Sequence, residues 1–135
     1  MIVASLPGKY ASLPRFSFGD SPALADELLA LVLTGRKTAT CTTPDDPNVS
    51  SVGDQWVVLD GEGRPACVIE TTEITLCRYD EVGAPFAYDE GEGDRSLDAW
   101  RRAHRKYFTR QGKFSETMML VCERFRLVEV LRASP

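Results

Sequence analysis

The first half of the chain opens with a helical pattern of apolar positions. These positions repeat every three or four residues, at Leu24, Leu28, Leu31 and Val32, which is the spacing of one helix face. Ser21 is a good N-cap, Pro22 fits the first helical position and Gly35 suits the C-terminal stop. We therefore predict a helix from Pro22 to Gly35, after an extended lead-in over residues 1–20.

Stretches rich in β-branched and apolar residues predict the strands that follow this helix. They span residues 37–43, 55–60, 66–76 and 118–131. The last strand is expected to bend midway, because its alternation drifts after Phe125. The turn sequence Asp60-Gly61-Glu62-Gly63 predicts that the second and third strands form a hairpin.

A mostly helical portion lies before the last strand. Residues 82–88 are predicted as a short helix or turn, residues 90–94 as a loop, and Ser96 as the cap of a helix running to about Tyr107 or Phe108. Together the elements predict an α+β fold, a small β-barrel or curled sheet of about five or six strands with two main helices.

Length and composition narrow the class of protein. With 135 residues, 43% of them hydrophobic and 27% charged, the chain is expected to form one globular domain over residues 1–135. No segment approaches the roughly 20 apolar residues of a membrane-spanning helix, so no membrane partner is expected. The segment from Met1 to Pro7 lacks the basic stretch and longer apolar run of a secretory signal. A cytoplasmic protein is the simplest expectation.

The cysteines do not indicate a metal site. Cys41, Cys67, Cys77 and Cys122 form no CxxC pair, and the chain has one histidine, which argues against zinc. Three of them lie in apolar or β-branched stretches, where a free cysteine usually behaves as a small buried hydrophobic residue. His104 shares a helix face with Trp100 and Phe108, so we interpret it as a half-buried histidine, with an acid-base role as the alternative.

The net charge of −4 hides a local asymmetry. The total argues against a protein that coats duplex DNA by bulk electrostatics. Residues 101–113 nevertheless carry a basic run without one acid, composed of Arg101, Arg102, Arg105, Lys106, Arg110 and Lys113. This run is either a phosphate-binding surface or a solvated helix face that balances the acidic loop before it.

The segment Gly35-Arg36-Lys37-Thr38-Ala39-Thr40 is the best site candidate. Lys37 could stabilise a phosphate or an oxyanion, or act as a base, although a surface lysine near a helix end is the plainer interpretation. Thr40 could be a nucleophile if a base removes its proton, or a residue that simply favours a strand. In a straight strand residues 37 and 40 point to opposite faces, so cooperation requires a turn, a bulge or the length of the lysine side chain.

An acidic loop supplies the complementary charges. Glu90, Glu92 and Asp94 alternate with Gly91 and Gly93, and glycine permits unusual backbone angles and the close approach of a ligand. These carboxylates could hold a general base or bind a divalent metal through oxygen. No EF-hand spacing is present, and the loop could also be only an acidic approach to the helix at Ser96.

These motifs, in this order, resemble the ASCH domain family. The resemblance rests on Phe16-x-Phe18-Gly19-Asp20, the GRKTAT segment, Gly53-Asp54, the segment from Asp89 to Asp94, and Trp100-x-x-x-His104-x-x-x-Phe108. It covers about residues 16–128. It implies a PUA-like β-barrel whose cleft is associated with RNA or nucleosides, in a family described as containing RNA-binding modules, ribonucleases and small amidohydrolases that deacylate N4-acetylcytidine.

The resemblance also implies roles for individual residues. The lysine, threonine and glutamate of the amidohydrolases fall on Lys37, Thr40 and Glu92, with Glu90 as the alternative because the loop is about one residue longer here. We expect the substrate to be held by Arg36, Thr38, Asp94, Arg101 and Arg105.

Three functional classes remain open at this point. The favoured hypothesis is a domain that binds single-stranded RNA or a nucleoside and hydrolyses it as a ribonuclease. The alternatives are an amidohydrolase for N4-acetylcytidine-type nucleosides and a non-catalytic RNA-binding module or sensor. No resident cofactor is expected, a divalent metal is left open, and the oligomeric state is not predicted.

Overall fold

Five strands and three α-helices make up residues 6–131, the range that the computed structural model describes. In chain order they are β1 (Arg15–Phe16), α1 (Pro22–Leu33), β2 (Ala39–Thr42), β3 (Gln55–Leu59), β4 (Pro65–Arg78), α2 (Ala84–Glu90), α3 (Leu97–Arg110) and β5 (Met119–Val130). Residues 1–5, which form most of the segment considered for a secretory signal, lie outside this range. Within it, no helix combines the length and the apolar character needed to cross a membrane. The cytoplasmic location stays a prediction.

The strands form one sheet in the order β1-β3-β4-β5-β2. β1 runs parallel to β3, and the other neighbours are antiparallel. The predicted α+β class is confirmed, and the predicted hairpin is the β3–β4 pair. The pairing of β4 with β5 shifts register twice, once between Thr71 and Glu73 and once between Val68 and Ile69. These shifts bend the long β4–β5 ribbon, where the drifting alternation of the last strand predicted an irregularity.

Apolar layers cover both faces of the sheet. One layer packs α1 against the central strands and contains Phe18, Leu28, Leu29, Val32, Trp56 and Phe125. A second lies under α2 and α3 and contains Tyr79, Val82, Ala87, Trp100, Phe108 and Leu120. A cleft separates the two helical layers, and its walls come from α1, β2 and α3.

The end of α1 turns the chain toward this cleft. Gly35 has a φ of 79°, its N–H donates to the Val32 carbonyl at 3.1 Å, and the Arg36 N–H donates to the Leu31 carbonyl at 2.9 Å. This pair of bonds is a Schellman motif, which requires the left-handed conformation that glycine adopts without strain. The Lys37 N–H also donates to Leu31, so the lysine leaves the helix at a defined angle.

Candidate functional site

Lys37 and the acidic loop meet at the wall of the cleft. The Lys37 ammonium Nζ lies 3.0 Å from Glu90 Oε1 and 3.1 Å from Glu92 Oε2, and it donates to the Ala39 carbonyl at 2.8 Å. The lysine is 1% exposed. The predicted convergence of these side chains is confirmed, and the surface-lysine interpretation of Lys37 is wrong. Lys37 precedes β2 and so is not held to the alternation of that strand, and both Lys37 and Thr40 line the cleft.

Close backbone packing brings the two segments together. A Cβ added to Gly91 would lie 2.4 Å from the Arg36 carbonyl oxygen, and Gly91 has a φ of 75°, so only glycine fits here. Arg36 donates from Nε to the Gly91 carbonyl at 2.7 Å and from Nη2 to the Gly93 carbonyl at 2.6 Å. The Thr38 N–H donates to the Asp89 carbonyl. Arg36 and Thr38, which we expected to hold substrate, therefore fasten the loop to the turn.

Glu90 is the centre of a buried charge network. It is 1% exposed, and its Oε2 accepts a hydrogen bond from the Trp100 indole N–H at 2.7 Å and lies 3.3 Å from His104 Nε2. His104 Nδ1 lies 2.9 Å from the Trp100 carbonyl oxygen. Both ring nitrogens thus face acceptors, an arrangement that favours the doubly protonated imidazolium. His104 is buried, as its helix face predicted, and is also ion-paired.

Ion pairing, rather than burial, determines the direction in which the pKa values of Lys37, Glu90 and His104 shift. Burial lowers the pKa of Lys37, but the opposite charges and hydrogen bonds of Glu90 and Glu92 outweigh it, so the pKa is raised overall. Burial likewise raises the pKa of Glu90, but Lys37, His104 and Trp100 hold it well below its usual range. The pKa of His104 is raised because Glu90 outweighs its desolvation. Lys37 is therefore a cation at neutral pH, which favours charge stabilisation over the alternative role as a base.

Glu90 and Glu92 differ in what they can reach. Both carboxylates line the cleft, but Glu90 is 1% exposed and its oxygens face Lys37, Trp100 and His104, whereas the Glu92 side chain is 23% exposed. Thr40, half-buried on β2, borders the same cleft. Glu92 is thus the carboxylate with access to a ligand, and Glu90 positions Lys37.

The cleft is large enough for a small ligand. Its volume of about 430 Å³ lies within the range of small-molecule sites. Apolar groups of Phe18, Leu24 and Leu28 form one wall, and Ala99, Ala103 and Tyr107 of α3 form the other. Its rim carries Arg102, Lys106 and Arg110, of which Arg110 pairs with Asp20 at 3.0 Å.

Some predicted binding residues lie elsewhere. Arg101 and Arg105 do not line the cleft; they border a second surface with Tyr79 and Glu116, which adjoins the cleft at Arg102. Asp94 is exposed, and its Oδ1 accepts from the Ser96 N–H at 2.9 Å, so it supports the start of α3. The expectation that these three residues share a site with Lys37 is therefore wrong.

Sequence reasoning missed the cations that do face the cleft. Arg102, Lys106 and Arg110 are spaced four residues apart and so lie on one side of α3. Ala99 and Ala103 lie on the same side, and their small side chains leave the space that forms the cleft. This stripe of alanine and cations was the signal available in the sequence.

Cys41, Glu90 and His104 come close enough to suggest a metal site. Their ligand atoms lie within 4.8 Å of one another. However, burial raises the pKa of the Cys41 thiol well above its usual value, with Glu90 adding to the effect, and Glu90 already faces Lys37 and the imidazolium of His104. A divalent ion would displace these cations, so the donor set does not fit a resident metal.

Comparison with known proteins shows the family and supports the fold. Residues 14–129 match the family model described as ASCH domain. The structure of an ASCH domain from Lactobacillus crispatus JV V101 is 37% identical, with a TM-score of 0.81, and the match covers 90% of this chain and 82% of that one. A protein from Enterococcus faecalis V583 is 32% identical with a TM-score of 0.77, over 87% of this chain and 77% of that one.

A more distant likeness concerns the fold alone. A point mutant of the ASCH protein from Zymomonas mobilis is 12% identical, with a TM-score of 0.54, and the match covers 89% of this chain and 71% of that chain. The search of curated proteins returned no match.

Proposed function

Because the chain belongs to the ASCH domain family, we propose that its cleft binds a nucleoside-sized ligand and hydrolyses an acyl–nitrogen bond in it. One observation carries the proposal: a buried lysine, held as a cation by two carboxylates, borders the same cleft as the Thr40 hydroxyl. A fixed positive charge and a hydroxyl that open onto one cleft are what acyl transfer requires, the first for the carbonyl oxygen and the second for the carbonyl carbon.

The proposed reaction divides into two steps. Thr40 Oγ1 attacks the acyl carbon while its proton passes to the Glu92 carboxylate, and the Lys37 ammonium stabilises the oxyanion that develops. The carbon–nitrogen bond then breaks, and the proton leaves with the amine, which is the first product. Water then attacks the resulting ester while its proton passes to Glu92. The bond between the acyl carbon and Thr40 Oγ1 breaks, the acid is released, and Glu92 returns the proton to Oγ1.

Glu90 acts through Lys37 in this scheme. It holds the ammonium at the wall of the cleft, and Trp100 and His104 hold Glu90 in turn. Such a preformed cation needs no rearrangement when charge develops in the transition state. Glu90 is therefore a positioning residue, and Lys37, Thr40 and Glu92 are the proposed catalytic residues.

Single-stranded RNA is the second candidate substrate, and the cations of the rim favour it. Arg102, Lys106 and Arg110 could contact phosphates while one base enters the cleft. A ribonuclease would then use Glu92 to activate a ribose hydroxyl, with Lys37 stabilising the charged phosphate. A module that binds RNA without cleaving it would use the same surface.

One experiment separates these functions. The purified protein is incubated with N4-acetylcytidine and with single-stranded RNA, each with and without a chelator, and products are followed by chromatography. We expect release of cytidine and acetate that a chelator does not affect. RNA cleavage would favour the ribonuclease, its abolition by the chelator would favour a metal route, and failure on both substrates would leave the binding module ahead.

Variants identify the groups involved. Lys37→Met should lower kcat/KM by about 100-fold or more, the usual cost of removing an oxyanion donor, and Thr40→Val should abolish turnover while ligand binding persists. Cys41, which borders the same cleft, is the competing nucleophile. Cys41→Ala should leave turnover within about threefold, because a thiol with a raised pKa attacks poorly.

A further inference from the structure

A second, smaller cavity opens beside the cleft. Its volume is about 230 Å³, and it shares Phe18, Thr40, Cys41 and Tyr107 with the larger one. Thr40 therefore stands where the two cavities join. A ligand whose acyl group lies at Thr40 and Lys37 would extend its remaining part into one of the two spaces.

The walls of this side cavity are aromatic. Phe16, Phe18, Trp56 and Phe125 line it, and Phe16 meets the rings of Phe18 and Trp56 edge to face, at centroid distances of 4.8 and 5.6 Å. Aromatic walls provide apolar area and stacking surface for a planar ring.

Glu123 supplies a polar group to this aromatic cavity. It is 9% exposed, it lines the cavity, and its Oε1 accepts from the Ser50 N–H at 3.1 Å. Among residues 6–131, no hydrogen bond is made to its Oε2 and no ion pair includes it. A carboxylate buried without a cation is rare in proteins, which suggests that a ligand completes its hydrogen bonding.

The surroundings of Glu123 favour a ligand that donates a hydrogen bond to its carboxylate. Ser50 Oγ is already engaged, since it accepts from the Trp56 indole N–H at 3.0 Å and lies 2.7 Å from Thr71 Oγ1. Asp46 also lines the cavity. Burial raises the pKa of Glu123, and the nearby negative charges of Asp46 and Asp54 add to the effect. The cavity thus presents oxygen acceptors and no cationic side chain.

The position of Glu123 relative to Thr40 links the cavity to the reaction. The two residues are direct partners across the antiparallel β2–β5 pair, and directly opposed side chains lie on the same face with Cβ atoms about 5 Å apart. A group bonded to a carbonyl carbon at Thr40 would therefore come within reach of the Glu123 carboxylate.

We propose that the side cavity holds the planar ring of an amino-substituted, nucleobase-like heterocycle, with Glu123 Oε2 accepting a hydrogen bond from the exocyclic nitrogen that carries the acyl group. This inference rests on the proposed function, whose substrate it takes as given, and concerns the residue that recognises that substrate. The acyl oxygen faces Lys37, the acyl carbon faces Thr40, and the N–H faces Glu123. Glu123 is a specificity-determining residue in this arrangement.

The test compares binding of two product-like probes, cytidine and uridine, by titration calorimetry. Cytidine offers an amino group where uridine has a carbonyl oxygen. The wild-type protein should prefer cytidine by about tenfold or more, as expected for a hydrogen bond to a charged group. Glu123→Gln should weaken cytidine binding by about tenfold and remove the preference, because the amide can instead donate to the uridine oxygen. Glu129→Gln, on the same strand but paired with Lys9, is the matched control and should bind like wild type.

NMR of the wild-type protein provides a second test, which remains available if the Glu123→Gln variant does not fold. The indole N–H groups of Trp56 and Trp100 lie in different surroundings, beside Ser50 and Glu90 respectively, so their NMR signals report separately. Cytidine should shift the Trp56 signal. A shift confined to Trp100 would place the ring outside the side cavity and overturn the inference.

The outcomes distinguish the inference from the proposed function. A preference for cytidine that survives in Glu123→Gln overturns the role of Glu123 and leaves the hydrolysis proposal standing. If the wild-type protein binds neither probe, the nucleoside-sized ligand is wrong and the inference falls with it. Loss of the preference in Glu123→Gln alone supports the assignment.

Discussion

Glu90 and Glu123 are both buried carboxylates, one lining the cleft and the other lining the side cavity beside it, yet their surroundings are opposite. Glu90 accepts hydrogen bonds from Lys37 and Trp100 and faces His104, and its pKa is lowered. Glu123 accepts one backbone hydrogen bond, and its pKa is raised. Burial alone raises a carboxyl pKa in both places, so the partners decide the sign.

This contrast distinguishes a buried charge that stabilises the structure from a buried charge that is available to bind a ligand. Each charged group of the Glu90 network is satisfied within the protein, which fixes the position of the Lys37 ammonium before substrate arrives. Glu123 retains an unused acceptor facing open space. A charge that is fully paired holds geometry in place, and a charge left unpaired at a cavity wall is available to a ligand.

The largest expected effect comes from removing Glu90. Glu90→Ala should lower the free energy of unfolding by about 3–5 kcal/mol, because it leaves Lys37 and His104 buried without their shared partner. Glu123→Ala removes no cation's partner and should cost clearly less. Urea denaturation of both variants measures the difference, and equal losses would contradict the contrast between the two sites.

The next effect concerns the backbone that builds the paired site. Gly91→Ala should cost at least about 2 kcal/mol, because a left-handed conformation is strained for alanine and its Cβ would meet the Arg36 carbonyl at 2.4 Å. Gly63→Ala, with a φ of 80° but open space around it, is the matched control and should cost only about 1 kcal/mol. Thermal unfolding of both variants tests whether loop packing adds to backbone strain.

The pH dependence of stability should have opposite sign at the two carboxylates. The lowered pKa of Glu90 means that its contribution is present above the unfolded value near 4.5 and is lost as the pH falls toward the folded pKa. The raised pKa of Glu123 means that the folded state binds the proton more tightly, so stability is lost as the pH rises from 4.5 through the folded pKa.

Glutamine variants measure these two contributions. Between pH 4 and pH 6, below the range in which the raised pKa of His104 adds an effect of opposite sign, the stability advantage of wild type over Glu90→Gln should grow, and its advantage over Glu123→Gln should shrink. Denaturation midpoints at several pH values provide the comparison. The same trend in both variants would show that the two carboxylates have similar surroundings.

The smallest effect distinguishes two faces of α3. Arg102→Ala combined with Lys106→Ala should weaken binding of single-stranded RNA several-fold and reduce its salt dependence, because those cations border the cleft. Arg101→Ala combined with Arg105→Ala removes the same charge from another surface and should change affinity little. Fluorescence titration at two salt concentrations measures both double variants, and equal losses would indicate a diffuse electrostatic surface.

Local patterns predicted much of the fold. The helix that begins at Pro22 and the helix capped by Ser96 were identified from caps and apolar spacing, and both Ser21 and Ser96 accept the expected backbone hydrogen bond. The hairpin of β3 and β4 followed from its turn sequence. These features depend on residues close together in the chain, which is why a sequence pattern can reveal them.

The candidate site was only partly predictable. Lys37, Glu90 and Glu92 were identified in the sequence, and the family resemblance assigned them to one site. The structure shows them in contact. The basic run on α3 was recognised as well, but Arg101 and Arg105 were chosen where Arg102 and Lys106 face the cleft. A shift of one residue along a helix turns the side chain by about 100° around the helix axis. The basic run alone did not reveal which side of α3 faces the cleft.

What the sequence by itself determined is the order of elements, their approximate bounds and the residue types that meet at the cleft, because periodicity, capping and turn chemistry act over a few residues. Tertiary structure alone decided that Glu90 is enclosed, that Glu92 reaches the cleft, and that Glu123 is buried without a cation. The reason is that each carboxylate's environment is made by groups distant in the chain: Ser50, 73 residues from Glu123, and Lys37, 53 residues from Glu90. Folding brings such groups within about 3 Å, the distance at which charge pairing and desolvation decide what a carboxylate can do.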